Sequence, residues 1–433
     1  MLDPFYAGEW EMDGEAIVAY LSLLNYLNDF PFDDSFRIPK VIKSTELPEP
    51  FRTLVNHGLP LTCDFNTKIV LDYLDKTDKG IITPPIPIFE ITPICNYQCP
   101  WCYIPKVDTE KLSIEVIHRE LVIPLLNRGT RIFVLSGGEP SLDLSRLSTI
   151  CQLIKTESTN IGTQPLITLL TNGYELSSNI ELYKKLYIST IQVSLVTIDP
   201  ELDQQLRKIP KGTNAIEEVC QGTEKAVNEG IGISFNFVLL PEINGMRSNI
   251  LEIPKIVALA KKLGVYLIRI VPVVPSGKAS NNKISLNLKE LMLARELISK
   301  EIEQSDKEII VYSPIGYDVA EYKPVYCRAG NDVIYVNAEG WVYPCNNLIS
   351  QEFRCNKTSI GKEHLLDIWD NSPLLWQFRS PSKVCGDCGR CNMRTECGGQ
   401  CRAQIYWRTR QTDLSIRPTK CYRVNTSEME AIM

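Results

Sequence analysis

Short apolar segments alternate with longer segments of helical periodicity through the middle of the chain. Between each pair of neighbouring strand segments lies enough sequence for a helix, and Gly230 and Gly264 stand where two of these helices should end. Repeated βα units of this kind predict an α/β fold with a parallel sheet. The predicted strands are 86–92, 131–136, 166–171, 190–195, 231–239 and 266–272. The clearest helices are 112–127, 142–155, 214–228 and 249–262.

The regions on either side of these six units do not continue their pattern. Residues 1–84 contain two helical segments, 17–24 and 67–74, and proline-rich stretches, so they are predicted to form an N-terminal extension that acts as a cap or binds a peptide. The core is predicted over 85–277, a bridging region over 278–326 and a cysteine-rich domain over 327–433. Within the bridge, a helix is predicted at 286–302 and a short strand at 308–312.

Composition excludes several classes of protein. A chain of 433 residues is too long for one ordinary core, and 44% hydrophobic with 23% charged residues is ordinary for a globular protein. The net charge of −6 offers no general basic surface, so nucleic acid is not an expected partner. No apolar run is long enough to span a bilayer, and the first residues lack the features of a signal peptide. We therefore expect a cytoplasmic protein without membrane association.

Fifteen cysteines are many for an intracellular chain, where disulfides are rare, and they indicate metal or redox chemistry. Three of them, Cys95, Cys99 and Cys102, follow the first strand with Cx3CxxC spacing. Zinc prefers closed sets of four ligands, so a lone triplet fits zinc poorly. Three thiolates in one loop fit a 4Fe–4S cluster with one iron left open.

Polar and glycine-rich motifs follow the next three strands. The second strand ends at Ser136 and is followed by Gly137, Gly138, Glu139 and Pro140. Glycines allow a close approach of the backbone to a ligand, because no Cβ stands in the way. Thr171 ends the third strand and Asn172 follows it. Ser194 lies at the end of the fourth strand, with Arg207 further on. A guanidinium suits bidentate capture of a carboxylate. In βα barrels the chemistry lies at these carboxyl ends of the strands.

Together these motifs resemble the radical S-adenosylmethionine (SAM) superfamily, including the aromatic residue, Trp101, before the last cysteine. The resemblance implies a partial (β/α)6 barrel with an N-terminal extension and a small cysteine-rich C-terminal iron–sulfur domain. It implies a cluster on the three loop cysteines whose open iron chelates SAM. One departure is Val196, where many relatives have Asp. The implied SAM-binding residues are Trp101, Gly137, Gly138, Glu139, Thr171, Asn172, Ser194 and Arg207.

The C-terminal cysteines resemble the SPASM domain, which carries two auxiliary iron–sulfur clusters, with a zinc ribbon as the alternative. The resemblance implies Cys327, Cys345 and Cys401 for auxiliary cluster I, and three 4Fe–4S clusters in total. The fourth ligand of cluster I is left open, or is Cys385 or Cys355. The implied ligands of auxiliary cluster II are Cys388, Cys391, Cys397 and Cys421.

Enzymes of this type most often modify a peptide. We expect a maturase that removes a hydrogen atom from a ribosomally made precursor peptide through a 5′-deoxyadenosyl radical, giving a crosslink, an epimer or a backbone rearrangement. Expected partners are the precursor, an electron donor such as flavodoxin or ferredoxin, and a separate leader-binding protein. The alternative is an anaerobic sulfatase maturase, which has an Asp after the Gx4C cysteine where this chain has Asn346. An amide cannot serve as a base. A non-catalytic electron carrier would not need the SAM motifs.

Overall fold

The structure is a computed structural model, and it describes residues 84, 86–105, 110–210, 213–304, 309–315, 327–331, 333–358, 364–378 and 401–412. The predicted N-terminal extension lies outside this part of the chain, apart from Pro84. The implied ligands Cys388, Cys391, Cys397 and Cys421, and the alternative ligand Cys385, also lie outside it.

The first half of the described chain alternates strands and helices. The elements are β1 (Ile86–Glu90), α1 (Ile114–Val116), a π-helical stretch (Ile117–Val122), α2 (Ile123–Asn127), β2 (Ile132–Ser136), α3 (Leu144–Asn160), β3 (Leu166–Thr171), α4 (Leu176–Lys185), β4 (Ile188–Leu195), α5 (Pro200–Arg207) and α6 (Ala215–Asn228). Asp199 begins α5 by accepting hydrogen bonds from two backbone N–H groups of its first turn, and Asn214 caps α6 in the same manner.

The second half continues the alternation and then adds a hairpin and short helices. The elements are β5 (Gly232–Leu239), α7 (Ile253–Lys262), β6 (Leu267–Pro272), α8 (Lys278–Asn281), α9 (Leu288–Glu303), β7 (Ile310–Tyr312), β8 (Val333–Val336), β9 (Val342–Tyr343), α10 (Leu365–Asn371), α11 (Pro373–Phe378) and α12 (Arg402–Thr409).

One sheet contains all nine strands, in the order β7-β6-β5-β4-β3-β2-β1-β8-β9. Strands β1 to β7 are each parallel to their neighbours, β8 is parallel to β1, and β9 is antiparallel to β8. Helices connect most of the parallel strands, as such crossovers require. Within the described chain the sheet stays open between β7 and β9. The predicted α/β fold with a partial barrel is therefore confirmed.

All six predicted strands are present, with ends that differ by one or two residues: β1 ends at Glu90, and β4 begins at Ile188. The short strand predicted in the bridging region is β7, and it extends the same sheet beside β6. The sequence pattern did not predict that β8, from the cysteine-rich region, pairs with β1. Strand pairing between distant segments depends on tertiary contacts, which periodicity does not encode. The sheet thus crosses two of the domain boundaries that the sequence analysis proposed.

The sheet is buried on both faces, as expected for parallel strands covered by helices. Every residue of β1 is buried, and Phe133, Val134 and Leu135 of β2 are fully enclosed. The inward positions at the carboxyl ends of the strands are the exception, because polar side chains occupy many of them. In the described chain, none of the helices combines the length and the apolar character needed to cross a membrane.

Candidate active site

The cysteine loop lies directly against the end of β2. The backbone N–H of Gly138 donates to the carbonyl of Thr92 at 2.7 Å, and that of Glu139 donates to the carbonyl of Ile94 at 2.8 Å. A Cβ on Gly137 would lie 2.5 Å from the Thr92 oxygen, and one on Gly138 would lie 2.1 Å from the Ile94 oxygen. Both glycines are therefore required for this close approach of two backbone segments, which fixes the position of the cysteine loop at the end of β2.

Glu139 is fully buried and holds the turn after β3. Its Oε1 accepts hydrogen bonds from the Thr171 hydroxyl at 2.9 Å and the Ser141 backbone N–H at 3.1 Å, and its Oε2 accepts one from the Asn172 backbone N–H at 2.7 Å. Burial raises the pKa of this carboxyl, while these donors act in the opposite direction. The three loop cysteines line a central cavity, and the Glu139 side chain does not line it. Its contacts instead position Thr171 and Asn172.

Asn172 connects this turn to the cysteine loop. Its Nδ2 donates to the Asn96 Oδ1 at 2.9 Å and lies 3.7 Å from the Cys95 Sγ, and its Oδ1 accepts from the Tyr174 backbone N–H at 2.9 Å. The backbone N–H of Tyr97 also approaches the Cys95 sulfur, at 3.4 Å. Burial raises the pKa of the Cys95 thiol, and these two donors lower it only in part. A thiolate at this position therefore needs positive charge, which a bound metal cluster provides.

Arg207 is 2% exposed, whereas a lone arginine on a helix is usually solvated. It forms a bidentate ion pair with Asp203, with Nε–Oδ1 at 2.6 Å and Nη2–Oδ2 at 2.5 Å. Its Nη1 donates to the carbonyls of Asn172 at 3.2 Å and Ser194 at 3.3 Å, at the ends of β3 and β4. The guanidinium also lines the central cavity beside Ser194. Capture of a carboxylate by this group stays a prediction.

The three loop thiols are placed for a metal cluster rather than for free thiol chemistry. Burial raises the pKa of the Cys99 thiol to about 12, and the positive charge of Arg207 lowers it in part. A buried thiolate needs compensating positive charge, which cluster irons provide. All three cysteines line one cavity, next to the close approach at Gly137 and Gly138. These residues fit the cluster and the SAM ligand that the motifs imply.

The cavity has a volume of about 460 Å³, and two cysteine sets line it. Cys327, Cys345 and Cys401 face it together with the loop cysteines. Burial raises the pKa of the Cys345 thiol, and the neighbouring Cys327 and Cys401 raise it further. Cys355 does not line the cavity and packs beside the main hydrophobic core instead. The implied SAM-binding residues that line this cavity are Trp101, Gly137, Gly138, Thr171, Asn172, Ser194 and Arg207.

A row of polar residues crosses the cavity wall on adjacent strands. Ser194 on β4 pairs with Asn236 on β5, Asn236 pairs with Arg269 on β6, and Arg269 pairs with Tyr312 on β7. All four line the cavity, and the Arg269 guanidinium lies 5.0 Å from the Tyr312 ring centroid. Sequence reasoning found only Ser194. The signal for Asn236 and Arg269 was a polar residue within a mostly apolar strand, on the barrel side of the pleat.

The structure brings two groups of predicted ligands to one cavity, but their roles as ligands stay predictions. In the described part of the chain, no three His, Cys, Asp or Glu side chains are grouped as a site for a single metal ion. A cluster differs from a single ion, because its thiolates bind separate irons.

This fold and site define a class: a partial βα barrel whose open end carries a three-cysteine loop, with a second cysteine site facing the same cavity. Comparison with known families gives the same result. The radical SAM superfamily matches residues 89–253, and SPASM, an iron–sulfur cluster-binding domain, matches residues 327–392. The chain therefore has a radical SAM domain followed by a C-terminal SPASM domain, and it is an enzyme.

Curated relatives are similar at the level of the superfamily. The chain is 28% identical over 271 residues to a GTP 3′,8-cyclase of Mannheimia succiniciproducens, covering 59% of this chain and 75% of that protein. It is 24% identical over 347 residues to a PqqA peptide cyclase of Granulibacter bethesdensis, covering 77% and 87%. The different activities of these relatives leave the substrate of this chain open.

Two solved structures have the same fold. Streptococcus suis SuiB bound to S-adenosylmethionine matches with a TM-score of 0.64 at 17% identity, covering 94% of this chain and 87% of that one. The structure of anSMEcpe with bound AdoMet and the Cp18Cys peptide matches with a TM-score of 0.61 at 18% identity, covering 77% and 92%. At these identities the likeness shows the fold.

Proposed function

We propose that the protein is a peptide maturase that acts on a ribosomally made precursor peptide. The observation that carries this proposal is the single cavity of about 460 Å³ that Cys95, Cys99 and Cys102 share with Cys327, Cys345 and Cys401. A substrate bound there would lie between the two cysteine sets. Cys95, Cys99 and Cys102 would hold the cluster that, with SAM, supplies hydrogen-atom abstraction, and Cys327, Cys345 and Cys401 would hold a cluster able to accept an electron. Three 4Fe–4S clusters belong to this proposal.

The bound cluster and SAM together supply a hydrogen-abstracting radical, and this chemistry belongs to the cofactors. The chain's own residues bind, orient and exclude water. The Gly137–Gly138 contact and the Glu139 hydrogen bonds fix the loop and the turn around the proposed SAM site. Two residues beyond Ser194, Asn236 and Arg269, the side chains of Val196, Val238 and Val271 line the cavity as an apolar stretch of wall, which limits access of water to a bound substrate.

Relatives support a peptide substrate. The PqqA peptide cyclase matches over more of this chain than the GTP 3′,8-cyclase does, 77% against 59%. SuiB with its precursor peptide SuiA matches with a TM-score of 0.63 and covers 95% of this chain. Expected partners are therefore a precursor peptide and a protein electron donor, with a leader-binding protein where the chain itself does not bind the leader.

The second candidate, a sulfatase maturase, has a structural neighbour in anSMEcpe. The cavity argues against it. Asn346 lines the cavity together with Tyr103 and Ser136. Among the described residues that line the cavity there is no Asp or Glu, and Glu352 is exposed elsewhere on the surface. Oxidation of a serine hydroxyl needs a base for its proton, and general-base help is typically worth ~10²–10⁴ in rate.

Mass spectrometry tests the proposal directly. The anaerobically reconstituted, reduced enzyme is incubated with SAM and with the peptide encoded by a short reading frame beside its gene. We expect a change of mass on one residue or a linked pair, coupled to formation of 5′-deoxyadenosine. Sulfatase-motif Ser and Cys peptides serve as the comparison. Aldehyde formation from those peptides over multiple turnovers would replace the proposal with the second candidate.

A further inference from the structure

The buried ion pair of α5 lies where three parts of the site meet. The Asp203 and Arg207 side chains are 1% and 3% exposed, one helical turn apart. A buried ion pair is costly to desolvate, and replacement by apolar residues is often neutral or stabilising. Stability alone is therefore a weak reason for its presence. Its contacts point to a role in the site.

Arg207 joins the cysteine loop to two strand ends. Its backbone carbonyl accepts from the Gln98 N–H at 2.9 Å, inside the loop between Cys95 and Cys99. Its Nη1 bridges the carbonyls of Asn172 and Ser194. Its guanidinium carbon lies 5.0 Å from the centroid of the Tyr97 ring. One residue thus binds the loop, the end of β3 and the end of β4 at the same point.

The same cation lies next to the cysteines themselves. Tyr97 is 2% exposed and packs with Ile209 and Ala215, and Cys95 and Cys99 pack against this small cluster. Arg207 stacks on the Tyr97 ring, and both Arg207 and Cys99 line the cavity. In this low-dielectric environment a unit charge acts strongly over several ångströms. The carboxylate of Asp203, paired with the guanidinium, offsets that charge.

We propose that Asp203 is a positioning residue of the radical SAM site, which fixes the Arg207 guanidinium beside the cysteine loop and offsets its charge at the cluster bound there. Asp203 thereby holds Arg207 in place at the loop and prevents the Arg207 cation from raising the reduction potential of the cluster. This inference concerns the cluster site and holds for any substrate, so it is independent of the proposed peptide.

The sign of the effect follows from the charges. Reduction adds a negative charge to the cluster. Asp203→Asn keeps the side-chain shape and leaves the Arg207 cation without its counter-charge, which stabilises the reduced cluster. In Arg207→Gln alone, the buried Asp203 carboxyl loses its partner and takes up a proton, so the net charge near the cluster changes little. The double variant Asp203→Asn/Arg207→Gln is neutral, as the native pair is.

The test is redox titration monitored by electron paramagnetic resonance, without SAM. The signal of the loop cluster is identified in a parallel sample of the native protein, as the signal that changes when SAM is added. We expect Asp203→Asn to shift the midpoint potential to a more positive value, and the double variant to return it near the native value. A tenfold change in the ratio of reduced to oxidised cluster corresponds to about 59 mV for a one-electron couple.

The matched control is Asp199→Asn, which removes the same charge from the same helix at an exposed ion pair with Arg247. Its potential should equal the native one. Iron content and circular dichroism verify that each variant is folded and loaded. An unshifted potential in loaded Asp203→Asn overturns the proposal, and so does a double variant that keeps the potential of the single one. Should Asp203→Asn fail to load iron, Asp203→Glu keeps the charge and is expected to load with the native potential; failure of Asp203→Glu to do so overturns it as well.

Discussion

The two cysteine sites that face the cavity are built by different means. The first takes Cys95, Cys99 and Cys102 from one loop, and two backbone contacts to the end of β2 hold that loop in place. The second takes Cys327, Cys345 and Cys401 from segments up to 74 positions apart. The β8–β9 hairpin and the start of α12 bring these segments together. The first site is local in sequence and the second exists only in the fold.

This difference separates what each site requires. The loop site depends on the glycines and Glu139 around it, close in sequence to the strand ends. The C-terminal site depends on the pairing of β8 with β1, which places the hairpin beside the barrel. We therefore expect changes at the first site to abolish SAM chemistry, and changes at the second to remove auxiliary iron while SAM chemistry persists. The following predictions test that separation, from the largest expected effect to the smallest.

Replacement of Cys95, Cys99 and Cys102 by Ala should abolish SAM cleavage and remove about one third of the iron from a protein with three clusters. In the predicted assignment, the loop supplies every protein ligand of the first cluster. The measurements are iron content and 5′-deoxyadenosine formation after anaerobic reconstitution. Cys220→Ala, the same change at a half-buried cysteine of α6, should leave both unchanged. Production of 5′-deoxyadenosine by the triple variant would contradict the assignment of the loop.

Cys345→Ala should lose auxiliary iron and product formation but still cleave SAM. Cys345 lies just after β9 of the hairpin and lines the cavity, and its set comes from three separate segments of the chain rather than from the one loop. Cys355→Ala is the matched control, because Cys355 pairs its N–H with the Val342 carbonyl on the same hairpin and does not line the cavity. Equal loss of iron in both variants would make Cys355 a ligand and would contradict the placement given by the structure.

Gly138→Ala should disturb the loop site without altering the C-terminal site. The added Cβ would lie 2.1 Å from the Ile94 carbonyl oxygen, and overpacking of this kind typically costs about 1–3 kcal/mol. We expect weaker SAM binding, measured by equilibrium titration, with auxiliary iron retained. Gly162→Ala is the comparison: nothing lies within 4 Å of its Cβ position, so its cost is only the backbone strain of an alanine at φ 74°, in the turn after α3. Unchanged SAM affinity in Gly138→Ala would show that the loop adjusts without cost.

Glu90→Gln tests the contact between β1 of the barrel and β8 of the C-terminal region. Glu90 on β1 accepts a hydrogen bond from the Tyr335 hydroxyl on β8, and burial raises the pKa of Glu90 to about 7. The folded state therefore keeps a proton that the unfolded chain loses above about pH 4.5. The contribution of Glu90 to the free energy of unfolding therefore falls as the pH rises from about 4.5 to about 7, and it is constant above that range.

The Gln variant keeps an acceptor for Tyr335 but cannot ionise. It should match the native protein near pH 4.5 and gain up to about 3 kcal/mol relative to it above pH 7, since one pKa unit is worth about 1.4 kcal/mol. Denaturant unfolding at the two pH values measures the difference. A constant difference between the two proteins across this range would mean that Glu90 titrates normally.

The sequence determined the strands, the loop motif and the family. The alternation of strands and helices follows from the order of apolar and polar residues along the chain. Cys95, Cys99 and Cys102 lie within eight positions of one another. The glycines at 137 and 138 were also visible in the sequence. Their structural role was not visible. The motif implied contact with SAM, whereas the structure shows that the backbone at both glycines packs too closely against the cysteine loop to leave room for a side chain.

Only the tertiary structure decided the rest of the site. It placed Arg207 against Asp203 although both lie on one short helix whose pattern resembles a solvated surface. It aligned Ser194, Asn236, Arg269 and Tyr312 in one row, because strand register sets which residues of four distant segments lie side by side. It also joined β8 to β1. Local propensity acts over a few residues, whereas register, burial and pairing are settled by contacts between segments far apart in the chain.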